Sequence, residues 1–222
     1  MAPLEPAAVE RMKRWLAAAL VGSKFNYRHS LYVMEDLLHS SKRVWRMTAK
    51  QALRLWKRSL KTGAVAEHPL LVYMHYPHCR FKCLFCNTPI AQLPDADAVR
   101  RYLEDCRREI EFFAPALDGR DCSLWRVGGG TPSLLDAREM RRWLEPAAKL
   151  FSFGPDSVRT IEFHPASSTR EKLASARSLG FNRVSFGVQS LNARVLRSVN
   201  RGYQDPAMVD RAIRWARGLG FE

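Results

Sequence analysis

From residue 70 onward the hydrophobic pattern repeats one change of period four times. A short apolar run gives way to a loop and then to an amphipathic stretch of helical length. The segments at 70–76, 123–127, 157–163 and 183–187 read as strands, the first of them buried; Pro77 stops the first and Pro165 follows the third. The stretches at about 95–113, 136–151, 169–179 and 206–217 read as helices, with Asp95 near the first cap and Gly180 closing the third. Strand and helix in strict alternation mean parallel strands joined by crossover helices. The fold class is therefore α/β, as a barrel or an open sheet.

The residues with chemistry to offer cluster at one end of those strands. Cysteines follow the first strand, and Gly128-Gly129-Gly130-Thr131-Pro132 follows the second. Glu162 lies near the end of the third and Gln189 just beyond the fourth. The carboxyl ends of parallel strands are where barrels and open α/β sheets bind ligands.

Composition narrows the class. Of 222 residues, 46% are hydrophobic and 26% charged, which excludes a disordered or fibrous chain. The longest apolar run, 15–21, falls far short of a membrane span, and Glu5 and Glu10 spoil a secretory leader, so an amphipathic helix is expected there. The net charge of +14 is uneven: residues 1–66 hold 13 Lys/Arg against 4 Asp/Glu. This part reads as a basic helical extension, with helices from about 7 to 21 and behind Thr48 up to Gly63; residues 67–222 form the second domain. A basic extension suits nucleic acid, anionic lipid or an acidic partner, or is simply a solvated helical surface.

Cys79, Cys83 and Cys86 crowd three of the five cysteines into eight residues. That spacing suits a metal site in a reducing cytosol better than a secreted disulfide framework. Two occupants fit. One is zinc, with His75 or His78 as fourth ligand; the other is an iron–sulfur cube whose fourth iron lacks a protein ligand and is open to a substrate. Cys106 and Cys122 lack ligand spacing and read as structural thiols, and His29, His39, His68 and His164 as structural histidines.

The segment Tyr73-Met-His75-Tyr-Pro77-His-Cys79-Arg-Phe-Lys-Cys83-Leu-Phe-Cys86 resembles the radical S-adenosylmethionine (SAM) superfamily, in its oxygen-independent coproporphyrinogen III oxidase-like subgroup. Three further segments agree in order: Gly128 to Pro132, Ile161-Glu162 before Pro165, and Arg183 to Ser190 with Val199-Asn200-Arg201 behind it. The resemblance covers about 70–222 and implies a partial parallel β/α barrel of about four βα units. It implies a [4Fe–4S] cluster on the three cysteines and SAM on the open iron. Reductive cleavage to a 5′-deoxyadenosyl radical would then abstract hydrogen from a tetrapyrrole or other organic substrate, for oxidation or methylation. By the same resemblance Gly128, Gly129 and Gly130 meet the amino group of SAM, Thr131 beside them binds the cofactor too, Glu162 meets its ribose, and Arg201 its carboxylate. Gln189 is a further SAM contact; Phe85 lies near the adenine and Tyr73 near the sulfonium. Phe81, Leu84 and Phe85 are expected to cover the cluster. The implied electron donor is a flavodoxin or ferredoxin, and the implied location cytoplasmic.

The sequence also departs from that subgroup. Asn87 and Thr88 stand where the decarboxylases carry a glycine and another cysteine, which points toward heme-chaperone-like or methyltransferase relatives. Tyr76 and His78 stand where isoleucine and phenylalanine are usual; His78 either tunes the cluster or faces solvent. A relative would continue past Glu222 into further strands, so a fragment or truncated product is expected. Two rivals to the enzyme are a heme-binding carrier using the cluster without turnover, and a zinc-stabilised nucleic-acid binder working through residues 1–66. Nucleic acid is not the expected partner.

Overall fold

A computed structural model describes residues 68–88, 90–92 and 95–222, with Gln51, Arg54 and Arg58 as isolated helical positions. The expected helix at 7–21 and most of the one behind Thr48 lie outside the described residues.

Four strands form one parallel sheet: β1 (Leu70–Tyr76), β4 (Cys122–Gly129), β5 (Val158–Phe163) and β6 (Arg183–Phe186), in that spatial order. They are the four strands expected. The crossovers contain α1 (Ala96–Leu117), α2 (Ala137–Leu150) and α3 (Arg170–Ser178); α4 (Ala193–Ser198) and α5 (Pro206–Gly218) follow β6. The result is an open four-stranded parallel α/β sheet, as the alternating pattern allowed and consistent with the partial barrel that the resemblance implied, and Leu70–Glu222 is one compact unit. Among the described residues no helix is long and apolar enough to cross a membrane.

Side-chain oxygens start the helices. Asp95 accepts from Ala98 N at 2.6 Å, Asp136 and Glu139 exchange a reciprocal capping box, Thr169 accepts from Lys172 N, and Asp205 from Met208 N at 2.7 Å. Each such cap is worth about 1 kcal/mol. Helix α1 continues beyond the expected end at 113, through Pro115, because buried Phe113 and Ala116 hold its last turn on the core. Two elements escaped the sequence reading. One is α4, whose single turn and a half is capped by Asn192 Oδ1 accepting from Arg194 N and Val195 N. The other is a two-residue pairing of β2 (His78–Cys79) with β3 (Ala91–Gln92), too short to show any period.

The two faces of the sheet differ. Trp125, Val127, Ile161 and Phe163 point toward the helices and are buried against Met140, Trp143, Leu144 and Leu173. Trp125 stacks on Phe153 with ring centroids 5.7 Å apart and lies 4.5 Å from Phe181. Because side chains alternate along a strand, the opposite face carries Tyr73, Arg126, Thr160 and Arg183 as one registered row. His75, Glu162 and Ser185 lie nearer the carboxyl ends on that same face. It is polar where the helix-facing side is apolar, and it leads to the site.

Candidate functional site

The loop after β1 is tied down on three sides. Pairing of β2 with β3 joins its two ends. The glycine turn after β4 hydrogen-bonds to it, Gly130 N to Tyr76 O at 2.6 Å and Thr131 N to His78 O at 2.8 Å. The segment after α4 grips its far side, with Leu84 N donating to Val199 O at 3.2 Å and Asn200 Nδ2 to Lys82 O at 2.8 Å. The glycines are required by this packing. A Cβ on Gly130 would sit 2.5 Å from His78 O, one on Gly129 2.5 Å from the His75 ring, and one on Gly128 2.7 Å from the Glu162 carboxylate. Gly129 also has φ of +110°, open to glycine and strained for other residues.

These anchors shape a cavity of about 670 Å³ at the carboxyl ends of the strands. Cys79, Cys83, Cys86 and Phe85 line it from the loop, and Gly129, Gly130 and Thr131 from the turn. Glu162 reaches it from β5, and Gln189 and Arg201 from the segments after β6. Of the residues assigned to SAM in the sequence, Gly128 and Tyr73 stand outside the lining; the Tyr73 hydroxyl lies 3.1 Å from His75 Nδ1 on the polar face of β1. Gln189 holds φ of +64°, and Gln204 fixes its loop by donating to Val188 O at 2.6 Å.

Electrostatics divide the cavity. The Cys79 sulfur lies 3.3 Å from Thr131 Oγ1. Burial raises the Cys79 thiol pKa, with the Thr131 hydrogen bond pulling it back; burial raises that of Cys83, with the Arg201 charge opposing. Arg201 is only 3% exposed, and its Nε and Nη1 have no hydrogen-bond partner among the described residues. A buried guanidinium with unpaired donors is costly until an anion meets it. Glu162 has a partner that the sequence did not disclose: Arg126, two residues before Gly128, reaches across from β4 with Nη2 and Nε at 2.6 and 3.2 Å from one oxygen, Oε1.

Two further lining residues were missed. His164, read as structural, lines the cavity and caps the turn Pro165–Ser167 with Nδ1 accepting from Ala166 N at 3.1 Å. Burial, reinforced by Arg201, pushes its pKa down to about 4. Tyr203 lines the cavity beside Arg201, its hydroxyl 3.3 Å from His164 Nε2. No spacing in the sequence marks Tyr203; the sign for His164 is its place two residues after Glu162.

Two imidazoles were offered as a fourth zinc ligand. His75 and His78 are both outside the cavity lining. His78 is buried rather than solvent-facing, edge-on to Tyr76 at 5.3 Å and Tyr102 at 6.0 Å, so the unusual Tyr76 and His78 belong to an aromatic cluster with Tyr102 and Trp143. Of the residues expected as apolar cover, Phe81 and Phe85 line the cavity, with Phe81 tilted against Tyr203 at 4.8 Å, and Leu84, 75% exposed, does not.

Comparison with known proteins agrees with this geometry. Residues 73–222 match the Radical SAM superfamily. The oxygen-independent coproporphyrinogen III oxidase of Escherichia coli (strain K12) is 35% identical over 155 residues, covering 70% of this chain and 34% of that protein. Heme chaperone HemW of Mycobacterium tuberculosis is 38% identical over 161 residues, covering 69% and 40% respectively. The solved structure of the E. coli coproporphyrinogen III oxidase HemN, described as a radical SAM enzyme, superposes with a TM-score of 0.67 at 31% identity, over 79% of this chain and 39% of that one. The chain thus spans between a third and two fifths of the length of these relatives.

Proposed function

The chain belongs to the radical SAM superfamily, and from that membership we propose that its cavity holds a [4Fe–4S] cluster and SAM for reductive radical chemistry on an organic substrate. The observation that carries this reading is convergence. Three thiols, a glycine turn, a carboxylate, a glutamine and a buried guanidinium with two unpaired nitrogens come from the segments at and after the ends of four strands and line one cavity. When bound, the cluster supplies the electron that breaks a sulfonium carbon–sulfur bond of SAM.

The residues divide the work by their chemistry. Cys79, Cys83 and Cys86 are the iron ligands, and Thr131 orients the first of them. Arg201 receives the SAM carboxylate, since its unpaired nitrogens are donors that an anion satisfies best. Glu162 receives the ribose hydroxyls on Oε2, because Arg126 occupies Oε1. Gly129 and Gly130 expose backbone to the amino group, Gln189 closes the far side, and Phe85 offers a ring to the adenine. Tyr73 stands back from this group, on the polar face where a substrate would lie. A flavodoxin or ferredoxin is the proposed electron donor, and a tetrapyrrole the leading substrate class.

A second reading is favoured by the similarity to a heme chaperone and by Asn87-Thr88 after the third cysteine: cluster and SAM held without turnover, with heme as cargo. Anaerobic reconstitution followed by reduction with dithionite tests both. Iron, acid-labile sulfide and release of 5′-deoxyadenosine from SAM support the enzyme. Iron and SAM binding without 5′-deoxyadenosine, together with a Soret band on heme addition, support the carrier. Zinc in place of iron refutes both.

A further inference from the structure

We propose that the Tyr203 hydroxyl donates a hydrogen bond to the ligand carboxylate at Arg201, forming with it a carboxylate-selective corner of the cavity. The inference rests on the reading that the cavity takes SAM, and it adds a ligand-binding residue to that site. His164 Nδ1 accepts from the backbone N–H of Ala166 at 3.1 Å, so that nitrogen carries no proton. In the neutral ring the proton is on Nε2, which lies 3.3 Å from the Tyr203 hydroxyl. The imidazole is therefore the donor and the phenol oxygen the acceptor. Arg201, which lines the same cavity, has donors only. Neither neighbour can take the phenol's own proton.

That proton has no acceptor among the described residues, and Tyr203 lines the cavity beside Arg201. The corner thus offers one O–H and the unpaired Nε and Nη1 of a buried guanidinium, with no acceptor among them. Three donors without an acceptor select an anion with two oxygens over a hydroxyl or an amine. The phenol is also held in place. Its ring packs 4.8 Å from Phe81 on the cysteine loop and 5.5 Å from His164. In SAM the only group that fits is the amino-acid carboxylate; the adenosine portion has no counterpart.

The test compares two ligands on the reconstituted 222-residue chain by anaerobic calorimetry: SAM, and 5′-methylthioadenosine, which keeps the adenosine and sulfur but lacks the amino acid. Tyr203→Phe keeps the ring packing and removes the hydroxyl. It is expected to weaken SAM about tenfold and leave 5′-methylthioadenosine unchanged, as loss of one hydrogen bond to a charged group should. Unchanged SAM affinity overturns the proposal, and so does an equal loss for both ligands. A cycle with Arg201→Lys supplies a second check. Coupled penalties support a shared carboxylate, and additive penalties overturn it. The underlying reading fails separately: if Glu162→Gln and Arg201→Lys also leave SAM affinity unchanged, SAM does not occupy the cavity.

Discussion

Arg126 places Nη2 2.6 Å and Nε 3.2 Å from the same oxygen of Glu162, a residue that lines the cavity. The pair spans neighbouring strands, and Arg126 is about half exposed. Such a pair contributes little to folding, because solvent screens it and two long side chains are ordered to make it. Arg126→Met is therefore expected to lower unfolding free energy by less than about 1 kcal/mol in chemical denaturation. Its larger effect should be on SAM affinity, through a Glu162 carboxylate free to turn. A loss of several kcal/mol in stability would show the pair to be structural.

The thiols give the sharpest contrast. Cys83→Ala is expected to abolish cluster iron after anaerobic reconstitution, whereas Cys106→Ala should leave iron and sulfide unchanged. Cys106 belongs to the packing around Tyr102 and Trp143, away from the cavity. Iron and acid-labile sulfide assays on the two variants, side by side, decide the ligand set.

The glycines divide by what surrounds them. A Cβ at Gly130 would meet backbone at 2.5 Å, at the carbonyl of His78, so Gly130→Ala should destabilise by about 1–3 kcal/mol and disturb the cysteine loop. At Gly218, the last residue of α5, a Cβ meets nothing within 4 Å, and Gly218→Ala should stabilise by about 0.5–1 kcal/mol. Thermal unfolding should move the two variants in opposite directions.

His164 predicts a pH dependence. Its pKa falls from 6.5 to about 4 on folding, first through burial and then through Arg201. The folded chain thus binds fewer protons than the unfolded chain between these values, so stability drops as pH falls from 6.5 toward 4 and is unaffected by this group above 6.5. The full effect is of the order of 3 kcal/mol, at 1.36 kcal/mol per pKa unit. Denaturation of the chain without cluster, at a series of pH values, should show that slope, and His164→Gln should flatten it.

How legible the molecule was depends on the range of each interaction. The four strands could be read because a strand that buries one face alternates polar with apolar residues, as where Thr160 and Glu162 alternate with Ile161 and Phe163, and because the first, 70–76, is largely apolar. The cysteine loop and glycine turn were legible as local motifs. Arg126 was not. Its partner lies 36 residues away, and their meeting depends on a register that pairs Arg126 with Thr160. Tyr203 was hidden for the same reason, since its neighbours His164 and Phe81 come from other loops. The glycine turn was legible in identity and only half so in cause. The resemblance assigned the small residues to a ligand, and the structure shows that the protein's own backbone and His75 already claim the space.

The division between the two faces of the sheet has an evolutionary consequence. Residues toward the helices, such as Trp125 and Ile161, are constrained by foldability. The row of Tyr73, Arg126, Thr160 and Arg183 makes no demand of that kind on the apolar core. Changes in that row can alter what is recognised without first undoing the scaffold. A combinatorial library confined to those four positions should therefore return mostly soluble, well-formed variants, and selectivity could drift within the lineage at little structural risk.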